Sequence, residues 1–491
     1  MGTPGFVARH GLHTAEQQET ARGVAAEIRE RGLRTVRVVL VDQHGVPRTK
    51  FLSAEAAIAA MSNGADFSGA IYSLDTGNAV FPTAFGAGGG FGIDEFTGFP
   101  DVVIVPDPAT FRVLPWADRT GWVLCDVYFS NGKPVPLDGR AIMREQLRRL
   151  EAAGYLYAAG LEVEYYIVRL ISDRIGLDQT GAPAPTPAVD IFEHGYQFLS
   201  ETRLDGVEST VSALRDALYD VGLPPRTMED EWGPGQMEAT FSPLTGLAAA
   251  DAMILFRSAV KAICRRRGLL ATFMCWPSLP NFFPSGWHLH ESLVAADTGS
   301  NAFASEDEML SRVGRQFVAG LLEHAKPMTI FTTPTVNGYG RFRPYSFAPD
   351  RIGWALENRG AMVRVQGGAG DTGTHIENRL GEPAANPYLY MAANIAAGLD
   401  GIRRGLEPPP PVSADPYVED AELLPTSLEA AIAALANDEL FAREFGDSFV
   451  DYYLMMKRAE YARYQAALAE TPLADGQVVS DWEMREYFEV Y

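Results

Sequence analysis

Polar residues recur at a spacing of two inside otherwise apolar stretches: Glu162 and Glu164 in LEVEYYI, His288 and His290 in WHLHESL, Glu377 and Arg379 in HIENRL. Side chains alternate along a strand, so each pair shares one face if these stretches are strands. A further stretch, EDEWGPGQMEATF (229–241), places Glu231 and Glu238 on either side of a Gly-Pro-Gly turn. Each pair alone reads as the solvated face of an ordinary strand. Together they describe one concave sheet face on which carboxylates and imidazole hold divalent ions, the donor set that Mg²⁺ or Mn²⁺ takes. Carboxylates crowded without cations repel one another or take up protons. The solvated positions Glu229 and Asp230 need no such role.

Arginines thicken in the following region, at Arg341, Arg343, Arg351, Arg359, Arg364 and Arg379. Forked guanidinium groups suit carboxylates and phosphates. Carboxylate-held metals facing arginines are suited to phosphoryl transfer, in which neutralising charge is most of the work. No GxxxxGK[ST] stretch is present, so the site is not a P-loop. Chemistry alone leaves two readings open: an ATP-using transferase or ligase, or a metal-dependent hydrolase.

The elements that must position these residues read as an α+β protein. The helices expected are 15–30, 53–62, a helix opened by Asp138 and running to about Ala153, 208–220, 245–267, 306–325 and 386–405, the last broken by Pro408 to Pro411. Strands are expected at 35–42, at 160–170, through LLATFMCW and WHLHESL, on both sides of the PYSFAPDR loop, and at 374–380. The division expected is a small strand-rich N-terminal domain (1–135) and a larger domain (136–491) built on a curved, mainly antiparallel sheet flanked by helices. A formal charge of −22 argues against nucleic acid or an anionic membrane as partner. Three scattered cysteines make neither a disulfide framework nor a zinc knuckle. No apolar leader or run of about twenty apolar residues is present, so a cytoplasmic location is expected.

In this order, LEVEYYI, EWGPGQMEATF, SGWHLHESL, NGYGRFRPYSFAP, WALENRGAMVRV and THIENRLGEPAANPYLYMAANIAAGLDGI resemble the glutamine synthetase family over nearly the whole chain. The resemblance implies an N-terminal β-grasp domain and a catalytic domain, assembled as two stacked hexameric rings with active sites between subunits. It implies ATP and Mg²⁺ or Mn²⁺ as cofactors, and phosphorylation of the γ-carboxylate of glutamate before an amine attacks. By matching motifs, one metal falls to Glu164, Glu231 and Glu238, and the second to Glu162, His288 and Glu377. Arg341 and Arg379 match the arginines that grip the acid substrate and the transferring phosphate. Arg359 and Arg364 match those that neutralise ATP phosphates, and His290 and Ser292 match the nucleotide side. The catalytic set implied is Arg341, Arg359, Arg379 and Glu377.

Departures from the family pattern cluster on the acceptor side. Phe347 stands where glutamine synthetases carry a glutamate that helps hold ammonium. Ser68, in DFSGA, stands where an aspartate reaches a neighbour's site, and Phe283-Pro284 replaces a substrate-binding Asn-Gly. Phenylalanine offers no base and favours a larger or apolar partner. The expected activity is therefore a glutamate–amine ligase that makes a γ-glutamylamide.

Overall fold

The computed structural model describes residues 4–172 and 174–491. The N-terminal region contributes strands β1 (Thr35–Val41), β2 (Pro47–Ser53), β3 (Ala65–Ser68), β4 (Asp101–Pro106), β5 (Arg112–Val113) and β6 (Thr120–Tyr128). They form one sheet in the order β2-β1-β6-β4-β3, with β5 on β6. Only β1 and β6 run parallel within it. The β1–β2 turn is tied by Asp42, whose carboxylate accepts from the amides of His44 and Val46 at 2.9 Å. Gly45 has φ +82 there, and a Cβ on it would lie 2.9 Å from Asn386 Cα, so only glycine lets the turn rest on the larger sheet's helical backing.

The larger sheet comprises β7 (Tyr155–Leu170), β8 (Val189–Ile191), β9 (Pro225–Asp230), β10 (Gln236–Phe241), β11 (Leu244–Thr245), β12 (Leu269–Thr272), β13 (Trp287–Ala295), β14 (Trp354–Leu356), β15 (Val363–Gln366) and β16 (His375–Gly381). Its order is β14-β15-β16-β13-β7-β10-β9, with β8, β11 and β12 also on β7. Every pairing is antiparallel except β14 with β15. The α+β reading, with a mainly antiparallel sheet backed by helices, holds.

The backing is set by the helix Pro387–Arg404. Asn386 caps it by accepting from Tyr388 N at 3.1 Å, Pro387 occupies its first turn, and Gly405 ends it with φ +63. It crosses the helix Arg312–Glu323 at glycines, where the two backbones touch. A Cβ on Gly401 would lie 2.1 Å from Gln316 O, and one on Gly320 2.0 Å from Ala397 O. Buried Arg140, in the helix Gly139–Ala152, ties the two regions together. It meets Asp107 at 2.7 Å, Asp251 at 2.9 Å, and Asp126.

Several elements differ from expectation. The central strand β7 begins at Tyr155 rather than 160, because its early residues pair with β13. The expected helix 306–325 starts at Arg312, where Ser311 accepts from Gly314 N at 3.0 Å, and a second helix, Ala325–Thr332, follows. The strand expected through LLATFMCW stops at Thr272, whose hydroxyl accepts from Met274 N and turns the chain. Before the PYSFAPDR loop lies a 3₁₀ turn, Asn337–Arg341, in place of a strand.

Candidate active site

Register across four neighbouring strands assembles the polar pairs. Glu162 on β7 stands opposite His288 on β13, Glu164 on β7 opposite Glu238 on β10, and Glu377 on β16 opposite His290 on β13. His288 Nδ1 lies 2.7 Å from Glu162 and 3.6 Å from Glu377, and His290 Nε2 lies 3.0 Å from Glu162. Donor atoms of Glu162, His290 and Glu377, and again of Glu162, Glu238 and His288, approach within 4.8 Å of one another. The structure thus places His290, like His288, within hydrogen-bonding distance of Glu162.

The Gly-Pro-Gly turn does more than bring Glu231 near Glu238. It presents Gln236, whose amide nitrogen donates to Glu164 and to Ser285 Oγ, both at 3.0 Å. Its oxygen accepts from Tyr166 Oη at 3.1 Å and Gly233 N at 2.9 Å. A fully bonded glutamine therefore holds the Glu164 carboxylate in place. Gly286 borders the same carboxylate. A Cβ on it would lie 2.8 Å from His288 Nε2, 3.1 Å from Arg341 Nη2 and 3.4 Å from Glu164 Oε1.

Glu377 is wholly buried beneath this face and organises two of the arginines. Arg364 donates to it at 3.1 Å and to Glu357 at 2.6 Å. Arg379 is paired with Glu377 and donates from its other amino group to Phe347 O at 3.1 Å. Arg341 donates once from each amino group to the backbone carbonyls of Leu380 and Arg379, at 3.1 and 2.6 Å, which leaves further N–H groups for the cavity it lines. Arg359 is exposed at the rim.

Charge is unevenly balanced across the site. Burial would raise Glu162, but hydrogen bonds with His288 and His290 carry it well below the usual carboxylate range. Glu377 is also low despite its burial, held there by Arg379 and His288. Burial and the neighbouring carboxylates push Glu231 up to about 8 and Glu238 up to about 10. The half of the site around Glu231 and Glu238 therefore lacks positive charge.

Most of these groups border one cavity of about 1710 Å³. Glu162, Glu164, Glu231, Glu238, His288, His290, Ser292, Arg341, Arg359, Arg364 and Arg379 line it, as do Phe283, Pro284 and Phe347. Glu377 acts from behind the wall. Ser68 is not brought to this cavity: it ends β3 and caps the following turn by accepting from Ala70 N at 3.4 Å. Asp75, near it in sequence, is engaged with Arg463 at 2.8 Å. Glu229 lines the cavity opposite Glu238, and Asp230 is buried, so neither is a plain solvated neighbour.

Sequence reasoning passed over His375, whose Nε2 lies 3.1 Å from His290 Nδ1. Its position two residues before Glu377, on the same strand face, was the available signal. Gln236 was equally visible, in the turn that carries Glu231 and Glu238.

The glutamine synthetase catalytic-domain family matches residues 136–475. The chain belongs to the glutamine synthetase family. It is an enzyme of that family, an ATP-dependent ligase. It is 45% identical over 492 residues to the γ-glutamylanilide synthase of Acinetobacter sp, covering 98% of each chain. It is 30% identical over 473 residues to the glutamate–isopropylamine ligase of Pseudomonas sp, covering 94% of this chain and 96% of the relative. The solved structure of apo GmaS without ligand superimposes with a TM-score of 0.76 at 30% identity, over 94% of this chain and 98% of that one.

Glutamine synthetase chemistry implies ATP and a divalent metal, and this donor set fits both requirements. Carboxylates with imidazole are hard-cation ligands, and the elevated Glu231 and Glu238 mark where positive charge is wanted. Arg359 and Arg364 border the same cavity on the β15 side, where an anionic phosphate chain would be compensated. No helix among the described residues is long and apolar enough to cross a membrane.

Proposed function

We propose that this enzyme phosphorylates the γ-carboxylate of glutamate with ATP and couples it to an apolar primary amine in preference to ammonia. The observation that carries the acceptor assignment is Phe347. It is exposed on the cavity wall with φ +57, and its carbonyl is held by Arg379. The loop around it, 344–349, offers no carboxylate to hold and deprotonate an ammonium ion. The names of the relatives, a γ-glutamylanilide synthase and a glutamate–isopropylamine ligase, support the same reading.

In this reading Glu164, Glu231 and Glu238 hold one metal, and Glu162, His288 and Glu377 the other, with His290 beside them. When bound, the ions neutralise the anions that phosphoryl transfer brings together. Arg341 and Arg379 orient the acid and its transferring phosphoryl group, Arg359 and Arg364 offset the nucleotide's charge, and His290 and Ser292 border the nucleotide side. The amine nitrogen then attacks the acyl carbon. A C–N bond forms as the C–O bond to phosphate breaks, phosphate leaves with that electron pair, and the nitrogen sheds a proton to water. Seating acid and amine side by side makes this step effectively intramolecular.

Assembly as two stacked hexameric rings, with Ser68 presented to a neighbour's site, is part of the proposal, and light scattering tests it. A cytoplasmic location is supported by three free, buried cysteines.

The deciding experiment is an ADP-release screen with glutamate against ammonia, alkylamines, polyamines and arylamines. Amine-dependent release exceeding that with ammonia is expected. Release with ammonia matching the best amine would reassign the enzyme as a glutamine synthetase.

A further inference from the structure

A second set of aromatic side chains, on the segments that connect the strands, faces the same cavity. Trp232 follows Glu231 directly, and its ring stacks on Phe198 with centroids 5.5 Å apart and planes 6° from parallel. The contact is built by the backbone. Tyr196 N donates to Trp232 O at 2.7 Å and Leu199 N to Asp230 O at 3.4 Å, so the 195–199 loop hangs from the end of β9 and the turn beyond it. Gly195 is pressed against Gly233, where a Cβ would lie 2.5 Å from Gly233 C. Tyr196 and Leu199 take φ +62 and +55, a conformation that side-chain-bearing residues rarely adopt. The chain thus holds strain in the loop that delivers Phe198.

A structural stack would be buried. Trp232 is 48% exposed and Phe198 45%, and both line the cavity. Phe283 and Phe347 present further exposed rings to it. Planar rings left open in a cavity are a stacking surface for a planar ligand. The nitrogen of an arylamine is neutral at pH 7 because its lone pair is shared with the ring, so it arrives ready to attack. The acceptor-side loops, which offer rings instead of a base, suit that nitrogen.

We infer that the Trp232–Phe198 stack is the platform on which the ring of an arylamine acceptor lies, and that Trp232 is a specificity-determining residue. The inference rests on the γ-glutamylamide reading and adds the substrate class and the residues that select it. It also explains a tryptophan next to Glu231, since one turn then positions both a metal ligand and the acceptor.

The test compares wild type, Trp232→Ala, Trp232→Phe and Phe198→Ala in ADP release with aniline, isopropylamine and ammonia. It is paired with calorimetric titration of aniline into each protein. Trp232→Ala is expected to lower the aniline-to-isopropylamine ratio of kcat/KM about tenfold or more, chiefly through KM. Trp232→Phe should recover most of that ratio, and Phe198→Ala should fall between. Equal loss with every acceptor would overturn the platform and reduce Trp232 to a support for Glu231. Unchanged aniline binding in Trp232→Ala, or no aniline binding to wild type, would also overturn it. Should wild type release ADP best with ammonia yet bind aniline through Trp232, the γ-glutamylamide reading fails and the platform stands.

Discussion

The Arg379 guanidinium joins Glu377 to the Phe347 loop: one amino group pairs with buried Glu377, and the other holds the carbonyl of Phe347 at 3.1 Å. In the proposed reading, a group on the phosphoryl side thereby fixes the backbone of the residue that faces the acceptor. Changing the Phe347 side chain leaves that hydrogen bond in place.

Phe347→Glu is therefore expected to fold normally, since φ is positive for either residue. It should lower the aniline-to-ammonia ratio of kcat/KM by about tenfold or more, equivalent to roughly 1.4 kcal/mol. ADP release with both acceptors checks this. A uniform loss across acceptors would remove Phe347 from the acceptor pocket.

Glu377→Gln leaves Arg364, Arg379 and His288 without their shared anion. Breaking a buried ionic network by removing one partner costs about 3–5 kcal/mol, so thermal melting should shift down by several degrees. Activity should fall by about 100-fold or more with every acceptor, in contrast to Phe347→Glu. Mn²⁺ titration should show weakened binding, and chelation of the wild type should abolish ADP release until Mn²⁺ or Mg²⁺ is restored.

Gly286→Ala tests how tightly the site is packed. The added methyl would press on His288 and Arg341 and touch Glu164, and side chains held by hydrogen bonds yield poorly. Loss of activity with every acceptor is expected, with a destabilisation of about 1–3 kcal/mol. Melting and ADP release on one preparation separate the two effects.

A pH dependence of stability lies away from the site, at His324. Burial opposes its charge, but hydrogen bonds with Asp438 and Asp400 outweigh this and hold its pKa above the usual 6.5. A raised folded value means its contribution is complete below about pH 6.5 and is lost as pH rises through the folded pKa. Wild type should therefore lose its melting-temperature advantage over His324→Gln as the medium is made alkaline. A difference between the two that does not narrow with rising pH would refute the assignment.

Much of this site was legible because strand periodicity is local. Glu162 with Glu164, His288 with His290 and Glu377 with Arg379 each announce a shared face from spacing alone. The pairing of Glu162 with His288 across β7 and β13 was not, because register is set by the packed sheet. The Trp232–Phe198 stack was hidden for a related reason. Its partners stand far apart in sequence and meet only through the bonds that hang one loop on another. Helix ends were misjudged where a single side chain decides them, as Ser311 does for the helix at Arg312. Ser68 could be named from its motif, but within one copy of the chain it only caps the turn after β3.

The proposed metal ligands other than Glu231 lie on strands β7, β10, β13 and β16, whereas the aromatic residues at 198, 232, 283 and 347 lie on connecting segments between strands. This division lets the enzyme's taste in amines change on a different timescale from its power to activate an acid. Point changes at these four positions, which spare Glu231 and Arg341 on the same connections, can accumulate without dismantling the phosphoryl machinery. A library confined to those four positions would search new amide products while keeping one activation step.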